Sequence, residues 1–143
     1  MILQSAAFAH EGEIPTKYSC KGRNLSPPLR IQDVPPTAQS LVLICEDPDA
    51  PGKTFQHWLS WDIDPATSEI PEATEPGTPG KNDFGKAQYG GPCPPSGTHR
   101  YYFKLYALDT RLGLSKGAGR RDLDQAMQGH VLTETQLMGT FPA

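Results

Sequence analysis

The sequence contains no long apolar run. No stretch approaches the ~20 consecutive apolar residues that a membrane-spanning helix needs. The first thirteen residues, MILQSAAFAHEGE, have neither a positively charged start nor an apolar segment of signal-peptide length. We therefore expect a soluble, cytoplasmic protein without stable membrane insertion.

Positive charge is also scarce. Thirteen basic residues stand against sixteen acidic ones, giving a net charge of −3, and the basic residues form no block. Binding to a nucleic-acid backbone requires a positive face. The charge pattern therefore excludes nucleic acid as the main partner.

Cysteine is rare, with only Cys20, Cys45 and Cys93 in the chain. Their spacing matches no metal motif, so we predict neither a metal nor a cofactor. An odd number argues against a complete disulfide framework. Cys45 lies in an apolar run and is predicted to be a core residue. A bond between Cys20 and Cys93, both in loops, is the less favoured alternative.

Proline and glycine, in contrast, are abundant, with fifteen and fourteen residues. They fall between short apolar runs, as expected for the turns of an all-β protein. The 143 residues contain no repeat and no linker, so residues 1–143 are predicted to form a single domain.

Apolar patterning predicts strands separated by these turns. Leu41–Cys45 is apolar throughout, which indicates a central strand covered on both faces. In Gln56–Ile63, strict alternation predicts that His57, Leu59, Trp61 and Ile63 share one face. Weaker patterns predict strands within residues 1–9, at 29–31 and at 131–141, and a helix at 121–128, followed by His130 as a structural hydrogen-bonding residue. Residues 64–98 are interpreted as a long functional loop or a poorly ordered lid.

Residues 89–109, YGGPCPPSGTHRYYFKLYALD, combine a stiff loop with the clearest strand pattern in the chain. Glycines and prolines prevent regular structure before residue 98. The apolar face of the strand that follows begins with His99 and Tyr101. Two polar side chains where an apolar face begins predict a pocket at that point.

Three predicted strand ends carry functional side chains. Asp47 ends one strand face, whereas His57 and His99 begin theirs. Consecutive strands joined by short turns are usually antiparallel neighbours. We therefore expect these three residues to converge at one edge of the sheet.

Several chemistries are compatible with such a cluster. Two histidines and a carboxylate are suitable metal ligands, but no His-x-x-x-His or Cys-x-x-Cys motif occurs. Gly-x-Ser-x-Gly and the glycine-rich nucleotide motifs are also absent. A small anion-binding pocket fits best, with imidazole and phenol groups as donors and prolines as an apolar wall. Asp47 would either orient a histidine or face the cationic part of a zwitterionic ligand.

The motifs NLSPPL (24–29), DPDAP (47–51), HW (57–58), GPCPPSGTHRYYFKLYALD (91–109) and GHVL (129–132) resemble the phosphatidylethanolamine-binding protein family. The likeness is strongest to its bacterial and archaeal, Raf-kinase-inhibitor-like branch. It implies an all-β fold in which a large antiparallel sheet packs on a smaller one, with Greek-key connections and one or two short helices. It also implies a pocket that takes phosphate, carboxylates or phospholipid head groups.

The resemblance assigns ligand-binding roles by motif. They fall on Asp47, Asp49, His57, Gly91, Cys93, Pro94, Pro95, His99 and Tyr101. A non-enzymatic module that binds a small anionic ligand is the leading interpretation. The alternatives are an inhibitor of a protein kinase or protease, and a weak hydrolase or lyase that uses the histidines as acid and base with Asp47. A protein partner and a homodimer are both possible.

Overall fold

Two antiparallel sheets and one helix make up the computed structural model, which describes residues 1–143. The smaller sheet has the order β1-β2-β5, and the larger has the order β6-β4-β3-β7-β8. The strands are β1 (Ile2–Gln4), β2 (Leu29–Gln32), β3 (Ser40–Asp47), β4 (Phe55–Ile63), β5 (Glu69–Ile70), β6 (Thr78–Pro79), β7 (Thr98–Leu108) and β8 (Val131–Pro142); the helix is α1 (Arg120–Met127). The predicted all-β class, with a large sheet packed on a small one, is confirmed. The helix is too short to cross a membrane.

Strand β3 is the centre of the larger sheet, and all eight of its residues are buried. Leu41, Leu43 and Cys45 face a core of twenty buried residues shared with the smaller sheet. Val42 and Ile44 face a second core of seven, which α1 covers. The continuous apolar run in the sequence reflects this burial on both faces.

The prediction that His57, Leu59, Trp61 and Ile63 share one face of β4 is wrong for Leu59 and Trp61. Leu59 and Trp61 pack in the second core with the helix, whereas Trp58 and Ile63 pack in the core beneath the smaller sheet. The pairing of β3 with β4 shifts register twice, so strict alternation fails. Asp62, at the shift opposite Leu41–Leu43, has a left-handed φ of 55°.

Residues 64–98 are packed against the sheets rather than forming a poorly ordered lid. They contain β5 and β6, and Ile70 and Tyr89 are both buried in the main core. The end of the segment, through Cys93 to Pro95, forms a wall of the cavity described below. The lid alternative is therefore wrong, and this part of the chain forms structure at the candidate site.

Cys20 and Cys93 form a disulfide bond, so the alternative that the sequence disfavoured is the correct one. Cys45 is free and buried, as predicted. Hydrogen bonds join the same two loops: Cys20 N–H donates to the Pro92 carbonyl (3.1 Å) and Tyr89 Oη donates to the Tyr18 carbonyl (2.7 Å). The wall at residues 89–93 is thus held to the 18–24 loop by covalent and non-covalent links.

Helix α1 begins and ends one residue before the predicted bounds. It buries Leu123 and Met127, and Gly129 follows it with a left-handed φ of 82°, which glycine adopts without strain. His130 then donates from Nδ1 to Asp109 Oδ1 at 2.7 Å. The predicted structural role of His130 is confirmed.

The outer edge of β8 is partly covered by the N-terminal segment. Glu11 N–H donates to the Met138 carbonyl (2.7 Å), Ile14 N–H to the Thr140 carbonyl (2.8 Å), and Thr140 N–H to the Gly12 carbonyl (2.9 Å). His10 Nδ1 accepts the Met138 N–H at 3.1 Å, so residues 10–14 satisfy the outward-facing backbone groups of Met138 and Thr140. At the other end of β8, Val131 and Leu132 are exposed.

Candidate functional site

A cavity of about 310 Å³ opens where β3 ends and where β4 and β7 begin. Both pairings of β3 are antiparallel, so its end lies beside the starts of its two neighbours, as the sequence predicts. Seven of the predicted site residues line the cavity: Asp47, His57, Cys93, Pro94, Pro95, His99 and Tyr101. The cluster inferred from the three strand ends is therefore present in space.

Asp47 holds His99 in a fixed orientation. His99 Nδ1 donates to Asp47 Oδ2 at 2.7 Å, and the other carboxylate oxygen accepts the backbone N–H of Asp49 at 2.8 Å. Both side chains of the pair are less than a tenth exposed. Of the two roles considered for Asp47, this geometry supports the orientation of a histidine.

His57 is fixed by a backbone carbonyl instead of a carboxylate. Its Nδ1 donates to the Gly90 oxygen at 2.6 Å, and its ring meets the Tyr101 ring edge-on with centroids 5.2 Å apart. A carbonyl can only accept, so Nδ1 carries the proton in this tautomer. Burial lowers the pKa of His57, so the neutral ring is favoured.

Tyr101 supplies a buried hydroxyl group that makes no hydrogen bond of ordinary geometry, and Asp47 and the Cys93 backbone lie near it. The residue is fully buried, and Oη has no hydrogen-bond partner within the protein. Burial, followed by the negative charge of Asp47, raises the pKa of this phenol, so it remains a neutral donor. Buried polar groups without a partner are rare and are often explained by a ligand.

Two predicted ligand residues, Asp49 and Gly91, do not line the cavity. Asp49 forms an ion pair with Arg100, with Nη2 to Oδ1 at 2.7 Å and Nε to Oδ2 at 2.9 Å, and the hydrogen bonds from Arg100 lower the pKa of Asp49 to about 2. Gly91 donates its N–H to Asn24 Oδ1 at 2.8 Å. A Cβ atom at Gly91 would overlap the carbonyl oxygen of Tyr18. Neither residue is therefore among those placed to contact a ligand in the cavity.

The sequence reasoning missed four lining residues: Ala50, Pro51, Phe55 and Phe84. The Phe84 ring is 46% exposed and packs edge-on against Phe55 (4.8 Å) and His57 (5.5 Å). For Phe84, the available sequence signal was an isolated phenylalanine in a segment that is poor in apolar residues. These aromatic rings give the cavity an apolar rim.

The arrangement offers hydrogen bonds and an apolar surface, but no set of metal ligands. No group of three or more histidine, cysteine, aspartate or glutamate side chains is placed to bind a metal ion. His57 and His99 each use Nδ1 within the protein, and no hydrogen bond engages Nε2 of either ring. Both Nε2 atoms are therefore free to bind a ligand, and the buried Tyr101 hydroxyl also lacks a partner.

The sequence profile of the phosphatidylethanolamine-binding protein family matches residues 4–142. The chain belongs to the phosphatidylethanolamine-binding protein family. A UPF0098 protein from Methanothermobacter thermautotrophicus is 48% identical over 99% of this chain and 98% of its own length. Family membership agrees with the resemblance carried by the DPDAP and GTHRY motifs.

Solved structures of the phosphatidylethanolamine-binding protein family show the same fold. The crystal structure of a homologue from Chlamydia trachomatis superposes with a TM-score of 0.95 at 42% identity, covering 99% of this chain and 96% of the other. YbcL from Escherichia coli, described as a member of the mammalian family, gives a TM-score of 0.91 at 26% identity, covering 99% and 97% of the two chains.

Proposed function

We propose that this member of the family is a non-enzymatic module that binds a small anion through a phosphate or carboxylate group. The observation that carries the proposal is the unpartnered hydroxyl of Tyr101, buried beside two histidines whose orientations are already fixed. A hydrogen bond to an ionised acceptor contributes about 1.5–3 kcal/mol. An acidic group placed among these three side chains would give Tyr101 its missing acceptor.

The apolar rim supports a ligand larger than a bare ion. Phe55, Phe84 and the prolines at positions 51, 94 and 95 surround the polar floor. Small-molecule sites typically combine an apolar lining with a few converging polar groups. The anionic group would lie at the histidines, and a carbon-containing part of the ligand would contact the rings.

The composition of the cavity also supports binding rather than catalysis by a nucleophile. No serine or threonine lines it, and the sulfur of Cys93 is bonded to Cys20. A covalent mechanism needs an activated hydroxyl or thiol beside a base. His57 and His99 are instead suited to holding an acidic group.

Calorimetric titration with inorganic phosphate, methyl phosphate and acetate tests this proposal. We expect the wild-type protein to bind at least one of these ligands and His99→Ala to bind it more weakly. His130→Ala is the matched control because His130 is also paired with an aspartate but lies at the opposite end of β7. Equal binding by the wild type and His99→Ala would refute the site.

The exposed ring of Phe84 favours a second candidate, inhibition of a kinase or protease by binding at the mouth of the cavity. Aromatic residues are enriched in protein interfaces. A panel of kinases and proteases assayed with excess protein would detect inhibition. Its loss in Phe84→Ala would assign the effect to this surface, whereas no inhibition by the wild type would reject this candidate.

A further inference from the structure

The hydrogen bonds of the two histidines determine which ring nitrogen can meet a ligand. His57 Nδ1 donates to a carbonyl, and His99 Nδ1 donates to a carboxylate, so both Nδ1 atoms carry protons. In a neutral ring the proton occupies only one nitrogen. Nε2 of each neutral ring therefore presents a lone pair to the ligand.

A fully ionised anion cannot bind favourably to such a lone pair. Its oxygen atoms are acceptors, as is the unprotonated Nε2, so their contact would be repulsive. A proton placed between Nε2 and the ligand oxygen converts this contact into a charge-assisted hydrogen bond. Anion binding at this site therefore requires a proton at each histidine that contacts the anion.

The two histidines differ in the group that accepts the proton on Nδ1. Asp47 lies 2.7 Å from His99 Nδ1 and can balance a positive charge on that ring. The Nδ1 partner of His57 is the uncharged Gly90 carbonyl. His57 is therefore held without a carboxylate partner, and its neutral ring is favoured before the ligand arrives.

The other groups around His57 do not change this assignment. The ionisable groups that face it are Asp47 from β3, His99 and Tyr101 from β7, and Asp83 from the 80–95 segment. The two carboxylates favour protonation, but burial outweighs them and lowers the pKa of His57. The negative charge of a bound anion would add to the carboxylates and oppose the effect of burial.

We propose that the pocket binds its anion together with a proton that lies between His57 Nε2 and an oxygen of the ligand. The inference rests on the anion-binding function proposed above. The proton comes from solvent when the ligand is a dianion. It comes from the ligand itself when the ligand is a hydrogen-phosphate monoester, which transfers or shares its acidic proton with Nε2. No other bond is made or broken.

This requirement identifies the preferred class of ligand. A phosphate monoester has a second pKa of about 6, so it can supply the proton near neutral pH. A carboxylic acid, with a pKa of about 4, has already lost its proton and must take one from solvent. Phosphate monoesters are therefore favoured over carboxylates of similar size.

Calorimetry with methyl phosphate at about pH 8 tests the proposal, since the ligand is then a dianion. Titrations in two buffers with different ionisation enthalpies give the number of protons taken up. The wild type should take up about one proton more than His57→Gln, and its affinity should fall as pH rises, by up to about tenfold per unit. His57→Gln, whose amide can donate without protonation, should still bind but without this additional uptake. His99→Gln should bind more weakly but retain uptake at His57.

The outcomes separate this inference from the proposed function. Binding by the wild type with no proton uptake and a flat pH dependence would overturn the inference alone, whereas no binding of any anion would overturn both. If His57→Gln does not fold, ¹⁵N spectra of the wild-type histidines decide the matter. They should show a bare Nε2 on His57 in the free protein and a protonated Nε2 in the complex; an unchanged Nε2 would refute the proposal.

Discussion

At the scale of single residues, Tyr89 and Tyr101 differ in how their hydroxyl groups are satisfied. Both residues are buried, but Tyr89 donates to the Tyr18 carbonyl at 2.7 Å, whereas Tyr101 has no partner. An unsatisfied buried polar group costs about 1–3 kcal/mol, whereas a made hydrogen bond stabilises by about 1 kcal/mol. Removing each hydroxyl should therefore have opposite effects on stability.

We expect Tyr101→Phe to leave the free energy of unfolding unchanged or to raise it, and to weaken phosphate binding by about tenfold or more. Tyr89→Phe, the matched control, should lower the free energy of unfolding by about 1 kcal/mol and leave binding unchanged. Urea denaturation and calorimetry measure the two quantities. A Tyr101→Phe protein that is destabilised yet binds normally would show that this hydroxyl has a structural role.

His57 should make the stability of the ligand-free protein depend on pH. Its pKa in the folded state is lowered by burial, so the unfolded chain takes up the proton first as the pH falls. The resulting stabilisation is complete above about pH 6.5 and is lost as the pH falls through the lower, folded-state pKa. In urea denaturation between about pH 7 and pH 5, the wild type should lose more stability than His57→Gln. Saturating phosphate should reduce the loss, and equal pH dependence in both proteins would contradict the assignment.

At the scale of structural elements, the disulfide bond links two loops that hydrogen bonds already connect. Cys20 and Cys93 are separated by 73 residues. Closing a loop of this length stabilises the folded state by about 4 kcal/mol, chiefly by restricting the unfolded chain. The Cys20→Ser/Cys93→Ser protein should lose about this amount, while its anion affinity is retained because the hydrogen bonds remain.

Urea denaturation with and without a thiol reductant provides the control for this prediction. The wild type should lose stability in reductant, whereas the double variant should be insensitive to it. A fall in anion affinity without a fall in stability would contradict the prediction that the disulfide stabilises the fold while hydrogen bonds position the loops. It would indicate that the bond positions the cavity wall instead of stabilising the fold.

The strands were predictable wherever their pairing is regular. β7 pairs with β3 and β8, and its register with β3 is unbroken, so alternation from His99 to Ala107 identifies its buried face. β4 contains two register shifts, which local hydrophobicity cannot reveal because they depend on the partner strand. Alternation thus predicted the position of β4 but assigned the wrong face to Leu59 and Trp61.

The polar floor of the candidate site was predictable for a related reason. Asp47, His57 and His99 lie at strand ends, and antiparallel pairing brings such ends together. Phe84 lies in a segment with no periodic pattern, so only its packing against Phe55 and His57 in three dimensions places it at the rim. The roles of loop residues depend on contacts that sequence spacing does not encode.

At the scale of the whole molecule, the twelve-residue strand β8 is the outermost strand of the larger sheet. In an antiparallel pair, the backbone N–H and C=O groups of alternate residues point away from the partner strand. In β8 these outward-facing residues are the even-numbered ones, including Glu134, Gln136, Met138 and Thr140. Residues 10–14 bond only the last two of these. Exposed strand edges are templates for pairing with other chains, and short or covered edges limit that risk.

The cover over β8 therefore has a consequence for storage and handling. Removing residues 1–14 should double the open edge, from Glu134 and Gln136 to all four outward-facing residues, and promote nucleated growth of fibrils. Met138→Pro in the truncated protein should suppress this growth, because that N–H donates to His10 in the full chain and so faces away from β7. Light scattering with and without preformed seeds follows the process. Fibril growth that persists in the proline variant would implicate the core exposed by truncation instead of the strand edge. Growth that the proline abolishes would show that the N-terminal segment prevents one folded copy from templating the next.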